Sequence, residues 1–105
     1  MIAQPICRDE ILGRLAEAGD AVRGLGVKQL SLFGSWARNA GTPQSDIDIL
    51  VEFRPGESSF SRFVELASLL ESRLGRQVDL VTTEGLSRHI GPKIRAEAID
   101  VLRAA

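Results

Sequence analysis

Two aspartates lie two residues apart in the stretch S-D-I-D-I-L-V-E-F, at the start of a run of strand-forming side chains. Alternate side chains of a strand point to the same face, so Asp46 and Asp48 would project together, roughly 7 Å apart at their Cα atoms. Carboxylates at this spacing repel each other unless a cation lies between them. Because Mg²⁺ takes oxygen ligands and is commonly held by one or two carboxylates plus substrate phosphates, the pair predicts a magnesium site.

A third carboxylate occurs in Q-V-D-L-V, where Val78 and Leu80 would face one way and Asp79 the other. If the two strands are neighbours, the three acids converge on one face of a sheet. For the Asp46 and Asp48 pair alone, an equally good interpretation is an exposed strand that charges keep soluble. The case for a metal site therefore depends on what else lies close to the acids.

The stretch L-F-G-S-W-A-R supplies a second candidate feature, because Gly34 and Ser35 follow a predicted strand and begin a predicted helix. The first N–H groups of a helix lack intrahelical partners, and together with a hydroxyl they can bind a phosphate. On its own the dipeptide is typical of a turn with a serine cap. Its position before the acids favours a phosphate site beside a metal site.

The composition restricts the class of protein that carries these residues. The chain has 105 residues, 44% of them hydrophobic, which predicts a single domain over residues 1–105. A net charge of -1 gives no basic field for nucleic acid, so direct nucleic-acid binding is not expected. No apolar stretch is long enough to span a membrane, and one cysteine, Cys7, cannot form an internal disulfide. We therefore expect a cytoplasmic protein.

Helices and strands alternate along the predicted chain. Apolar spacing predicts a first helix over Arg8–Gly24 and a strand over Val27–Phe33. Ser45–Phe53 is predicted as the second strand, with a core-facing side formed by Ile47, Ile49, Val51 and Phe53.

The second half continues the alternation. A turn over Arg54–Ser59 precedes a helix ending near Gly75, whose predicted apolar face comprises Phe60, Phe63, Val64, Ala67, Leu70 and Leu74. A strand over residues 77–81, a helix in G-P-K-I-R-A-E-A and a closing strand in I-D-V-L-R follow. The predicted fold is α/β, a small mixed sheet of three to four strands with helices packed on one face.

The combined pattern resembles a known superfamily. A G-S pair, ten residues and then D-x-D, with a further aspartate on a later strand, resembles the DNA polymerase β-like nucleotidyltransferases. F-G-S-W-A-R with S-D-I-D-I-L-V-E-F and V-D-L-V is similar to the minimal nucleotidyltransferases, or MNT proteins. These small domains are commonly encoded with a HEPN-domain partner as a toxin–antitoxin pair.

The resemblance implies a role for each matching position. Gly34 and Ser35 would hold the β- and γ-phosphates of ATP, the substrate. Asp46 and Asp48 would ligate two Mg²⁺ ions, and Asp79 would complete the metal site and help deprotonate the attacking hydroxyl. A tyrosine hydroxyl of a cognate HEPN-domain RNase toxin would receive AMP and the toxin would be neutralised.

Two alternatives remain open: an antitoxin that blocks the toxin by binding alone, or a small-molecule nucleotidyltransferase that acts with a separate substrate-binding subunit. Either would keep the fold and change the chemistry. The intact acids favour catalysis over the first alternative.

Several residues near the motifs have more than one interpretation. Asn39 stands where the family often has glycine, and asparagine tolerates the left-handed backbone that such a turn needs. Arg38 could support the phosphate loop, although a structural ion pair is favoured. Trp36 could contact a nucleotide or a protein, or simply be structural, while Lys93 and Arg95 could reach a triphosphate or a partner, or be solvated charges.

Overall fold

A computed structural model describes residues 7–42, 44–83 and 91–103, which form five helices and four strands. The helices are α1 (Arg8–Glu17), α2 (Gly19–Gly24), α3 (Gly34–Ala37), α4 (Phe60–Leu74) and α5 (Gly91–Glu97). The strands are β1 (Val27–Phe33), β2 (Ile47–Phe53), β3 (Val78–Thr82) and β4 (Ile99–Arg103).

The four strands form one mixed sheet in the order β3, β2, β1, β4. β1 pairs antiparallel with β2 and with β4, whereas β2 pairs parallel with β3. A parallel pair needs a crossover connection, and α4 provides it. The prediction of a small mixed sheet with helices on one face is confirmed, and the strand order makes the two acid-bearing strands direct neighbours.

One face of the sheet carries the hydrophobic core. Ile47, Ile49 and Val51 of β2 are fully buried there, as their alternation predicts. Burial of each such side chain contributes about 1.5–3 kcal/mol, so this face supplies much of the stability. β1 and β3 add further buried residues, and the helices pack their own against the sheet, among them Ile11, Leu15, Val22, Leu66, Leu70 and Leu74. The other face of the sheet, called the open face below, is left to the polar residues.

Helix α4 begins and ends as its sequence predicts. The Ser59 side chain accepts a hydrogen bond from the backbone N–H of Arg62 at 3.2 Å, which caps the first turn. Gly75 ends the helix with a left-handed backbone, φ 69°. The chain then enters β3 directly, so the position of Asp79 follows from the end of this helix.

The predicted apolar face of α4 is wrong in its first turns. Leu66, Leu70 and Leu74 form the buried stripe, whereas Phe60 is 83% and Val64 45% exposed. At 3.6 residues per turn, Val64 lies on the side of the helix opposite Leu66. The apolar residues of α4 therefore form two stripes, and the sequence pattern alone does not show which of them is buried.

Three element boundaries also differ from prediction. The single helix over Arg8–Gly24 is two helices, because the N–H of Ala18 bonds to two carbonyls at 3.2 Å in a tightened turn and Gly19 follows. β2 begins at Ile47 rather than Ser45, since the N–H of Ile47 makes the first bond toward β3, to the carbonyl of Gln77 at 3.1 Å. β3 begins and ends one residue later than predicted, at Val78 and Thr82.

In the part of the chain that the structure describes, no helix combines the length and the apolar character required to cross a membrane.

Candidate active site

Two carboxyl groups meet on the open face of the sheet. The parallel register places Asp48 of β2 opposite Asp79 of β3, and a side-chain hydrogen bond joins them. Such a bond between two acids requires a proton on one of them. Burial above all, then the charges of Asp79 and Asp46 and the hydrogen bond itself, raise the pKa of Asp48 from 3.8 to about 6, against the opposing charge of Arg38.

Asp46 lies at the surface, immediately before β2. It is therefore not part of the strand alternation, but its charge still acts on Asp48. The structure thus brings Asp48 and Asp79 together and keeps Asp46 within electrostatic reach of Asp48.

Gly34 lies against the Asp48 side chain. Its backbone has φ +76°, and a methyl group built on its Cα would overlap the Asp48 carboxylate. Only glycine meets both conditions without strain. Ser35 follows in the first turn of α3, where backbone N–H groups have no intrahelical acceptor. The turn after β1 and the acids of β2 and β3 are therefore adjacent.

The carboxylates on the open face suit Mg²⁺ only in part. Among the described residues, no three His, Cys, Asp or Glu side chains are arranged to enclose an ion. Mg²⁺ does not need such a cage, because one or two carboxylates plus phosphate oxygens and water complete its shell. The hydrogen-bonded Asp48 and Asp79, with Asp46 in electrostatic reach, provide carboxylate oxygens where a cation would relieve their repulsion. These residues fit the ion when a phosphate ligand is also present.

A cavity of about 210 Å³ opens on the same face of the sheet. Its lining includes Leu50, which follows Asp48 by two residues and so shares its face, and the polar residues Ser31, Glu52 and Asp100. The hydroxyl of Ser31 donates to the Asp100 carboxylate at 2.8 Å. The open face is therefore concave and partly acidic over β1, β2 and β4, and the lining of this cavity includes neither Asp48 nor Asp79.

The structure assigns contacts to most of the other residues near the motifs. Arg38 forms an ion pair with Glu97 of α5 at 2.7 Å, as favoured, and also lowers the pKa of Asp48 by its charge. Asn39 adopts a left-handed backbone, φ 58°, as expected for the residue in place of glycine. Trp36 is only 4% exposed and belongs to the core. The side chains of Lys93 and Arg95 lie outside what the structure describes.

Sequence reasoning missed Arg76, which contacts both Trp36 and the segment before Asp46. An arginine between a helix and a strand resembles an ordinary solvated charge, and no local signal distinguishes it. Only the tertiary contacts identify it.

Comparison with known proteins places this arrangement in context. The family model for the nucleotidyltransferase domain matches residues 10–103. A predicted protein adenylyltransferase of Methanocaldococcus jannaschii is 47% identical over 77 residues, covering 73% of this chain and 82% of that protein. The protein adenylyltransferase MntA of Thermococcus cleftensis is 38% identical over 76 residues, covering 72% of this chain and 76% of that protein.

Solved structures share the fold. A predicted minimal nucleotidyltransferase superposes with a TM-score of 0.82 at 28% identity, covering 92% of this chain and 98% of that one. A complex from Shewanella oneidensis, of a tri-AMPylated HEPN toxin with an MNT antitoxin, gives a TM-score of 0.66 at 21% identity and covers 92% and 73%. At that identity the second likeness concerns the fold alone.

The raised pKa of Asp48 predicts a pH-dependent effect of Asp48→Asn on stability. Below the unfolded pKa of 3.8, Asp48 is protonated in both the folded and the unfolded state, so its raised pKa costs no stability. Between that pH and about 6 the unfolded chain ionises more readily, so the free energy of unfolding falls, and the full cost is present above about 6. We expect Asp48→Asn to raise the free energy of unfolding by about 1 kcal/mol near pH 8, a value reduced for solvent screening. Urea denaturation at several pH values measures this difference.

The difference should shrink toward zero near pH 4, where the aspartate is increasingly neutral in both states. The exposed Glu65→Gln on α4 serves as the control, with the same small effect at every pH. An Asp48→Asn gain that is equal at acidic and alkaline pH would contradict the crowding of the acids.

Gly34→Ala should destabilise the protein more than a matched glycine substitution. Gly56 has nearly the same backbone, φ +79°, but nothing within 4 Å of a methyl group there. Both substitutions incur left-handed strain of about 1–2 kcal/mol, and Gly34→Ala adds overlap with the Asp48 carboxylate. The extra loss, at least about 1 kcal/mol, is measured by urea denaturation. Equal losses would mean that the close approach of Gly34 to Asp48 is not present in solution.

Proposed function

The chain belongs to the nucleotidyltransferase domain family, and from that premise we propose that it is a protein adenylyltransferase antitoxin. It transfers AMP from ATP to a tyrosine hydroxyl of a HEPN-domain RNase toxin and so neutralises it. The names of the similar proteins support adenylyl transfer to a protein. The toxin–antitoxin pairing rests on the MNT resemblance of the motifs.

The observation that carries the proposal is the contact of Asp48 with both Asp79 and Gly34. It joins the acids to the Gly34–Ser35 turn, where the triphosphate is proposed to bind. A protein that only covered its toxin would have no need of repelling carboxylates on a partly buried strand, since these lower its own stability.

The proposed reaction is an in-line displacement at phosphorus. The tyrosine oxygen forms a bond to the α-phosphorus of ATP, the bond from that phosphorus to the bridging oxygen breaks, and pyrophosphate leaves. Asp79 accepts the proton of the phenol as general base. Gly34 and Ser35 hold the β- and γ-phosphates, which orients the leaving group opposite the attacking oxygen.

Asp46, Asp48 and Asp79 would hold Mg²⁺, and the family resemblance implies two ions. The ions would neutralise the charge that develops on the phosphate oxygens. Burial and the neighbouring acids raise the pKa of Asp48 to about 6, so at neutral pH a bound cation would relieve the repulsion that opposes its ionisation.

The acceptor is proposed to come from another protein and to approach over the open face. The opposite face is filled by α1, α2 and α4, so the acids are reached from this side.

Transfer of AMP should depend on Asp48 without depending on stability. A purified HEPN-domain protein encoded beside this chain is incubated with ATP, Mg²⁺ and either wild type or Asp48→Asn, and its intact mass is measured. Wild type should add one or more AMP units to a tyrosine. Asp48→Asn should lower the rate by about 10²–10⁴-fold although it is the more stable protein.

The RNase activity of the HEPN protein is followed in the same samples, with Glu65→Gln as the matched acid-to-amide control. Loss of RNase activity together with the mass increase supports the proposal. Silencing without added mass would replace the proposal with the antitoxin that acts by binding alone. If the HEPN protein keeps its RNase activity and gains no mass, the small-molecule nucleotidyltransferase is favoured.

A further inference from the structure

Arg76 and Trp36 form a pair at the acid-bearing end of β2 and β3. The guanidinium carbon of Arg76 lies 5.5 Å from the centroid of the Trp36 ring, within the range of a cation–π contact. Trp36 is buried in α3, directly after Gly34 and Ser35, and Arg76 comes three residues before Asp79. The pair therefore links the turn after β1 to the start of β3.

Both members of the pair also hold the turn that precedes Asp46. Nη2 of Arg76 donates to the carbonyls of Thr42 and Ser45, at 3.2 Å each. Nε1 of Trp36 donates to the same Ser45 carbonyl at 3.3 Å. The N–H of Ser45 bonds to the Thr42 carbonyl at 2.9 Å, which closes a turn. Arg76 and Trp36 therefore hydrogen-bond to the ends of this turn. Gly41 packs so closely on the Trp36 ring that a methyl group there would overlap it.

This turn matters because the three acids are supported differently. Asp48 and Asp79 belong to paired strands, and the ladder fixes their backbones. Asp46 lies between Ser45, the last residue of the turn, and Ile47, the first residue of the strand. Its position therefore depends on the turn, and the turn is held by Arg76 and Trp36.

We propose that Arg76 is a positioning residue, which fixes Asp46 as a cation ligand through the Thr42–Ser45 turn; this rests on the metal site of the proposed function. The contacts need a planar guanidinium, since one face lies over an indole while one nitrogen reaches two carbonyls. A lysine ammonium cannot reproduce that geometry, so Arg76→Lys does not substitute for arginine.

The test uses Mn²⁺ as a paramagnetic probe of carboxylate ligation, with binding followed by the loss of the free-ion signal in electron paramagnetic resonance. Arg76→Met and Arg76→Lys should each weaken Mn²⁺ binding by about 10-fold or more, as loss of a residue that orients a ligand commonly does. Arg73→Met, an exposed arginine in the last turn of α4, is the matched control and should bind as wild type does.

A double-mutant cycle separates positioning from general support of the fold. Asp46→Asn alone should weaken Mn²⁺ binding, and Arg76→Met should cause no further loss in that background, because its effect passes through Asp46. If Arg76→Met fails to fold by circular dichroism, Trp36→Phe removes the second donor to Ser45 and reduces the ring on which Arg76 packs, and it should show a smaller loss with the same dependence on Asp46.

The outcomes distinguish the role proposed for Arg76 from the proposed function. Wild type that binds Mn²⁺ while Arg76→Met binds equally well overturns the role of Arg76 and leaves the proposed function standing. An equal loss with and without Asp46 also overturns positioning, since the effect then bypasses that residue. Wild type that binds no Mn²⁺, either alone or beyond the amount that a non-hydrolysable ATP analogue binds by itself, removes the metal site, and both proposals fall together.

Discussion

Two carboxyl groups are held side by side by the parallel pairing of β2 with β3, and the rest of the site is arranged around that contact. Partial burial disfavours ionisation of Asp48, and the negative charge of the neighbouring Asp79 adds to the effect. The sheet tolerates the arrangement because its opposite face buries Ile47, Ile49 and Val51 completely. Stability therefore comes from one side of β2, and the destabilising chemistry lies on the other.

Much of this division could be predicted from sequence because strand alternation is local. The pattern around Asp48 and Asp79 separates apolar from acidic residues, and the structure confirms which side forms the core. Asn39 could be predicted for the same reason, since a left-handed backbone is a property of one residue and its neighbours. Local stereochemistry was sufficient in both cases.

The features that could not be predicted depend on contacts between distant segments. The sequence pattern placed Asp46 within the strand, but β2 begins one residue after it, where the N–H of Ile47 bonds to the carbonyl of Gln77. Apolar periodicity in α4 allowed more than one stripe, and only packing against the sheet selects Leu66 over Val64. Arg76 acquires its contacts from residues more than 30 positions away, so nothing beside it in the chain marks it.

Crowding of the acids has a consequence for how a cation would bind. A cation binds the ionised form of a carboxyl group, and because the pKa of Asp48 is raised to about 6, binding below that pH must release its proton. Near neutral pH that release costs little, and relief of the carboxylate repulsion favours the ion. A more solvated pair of acids would lose its proton earlier but would gain less from the cation. The partial burial of Asp48, which lies against Gly34, therefore increases the gain from binding an ion.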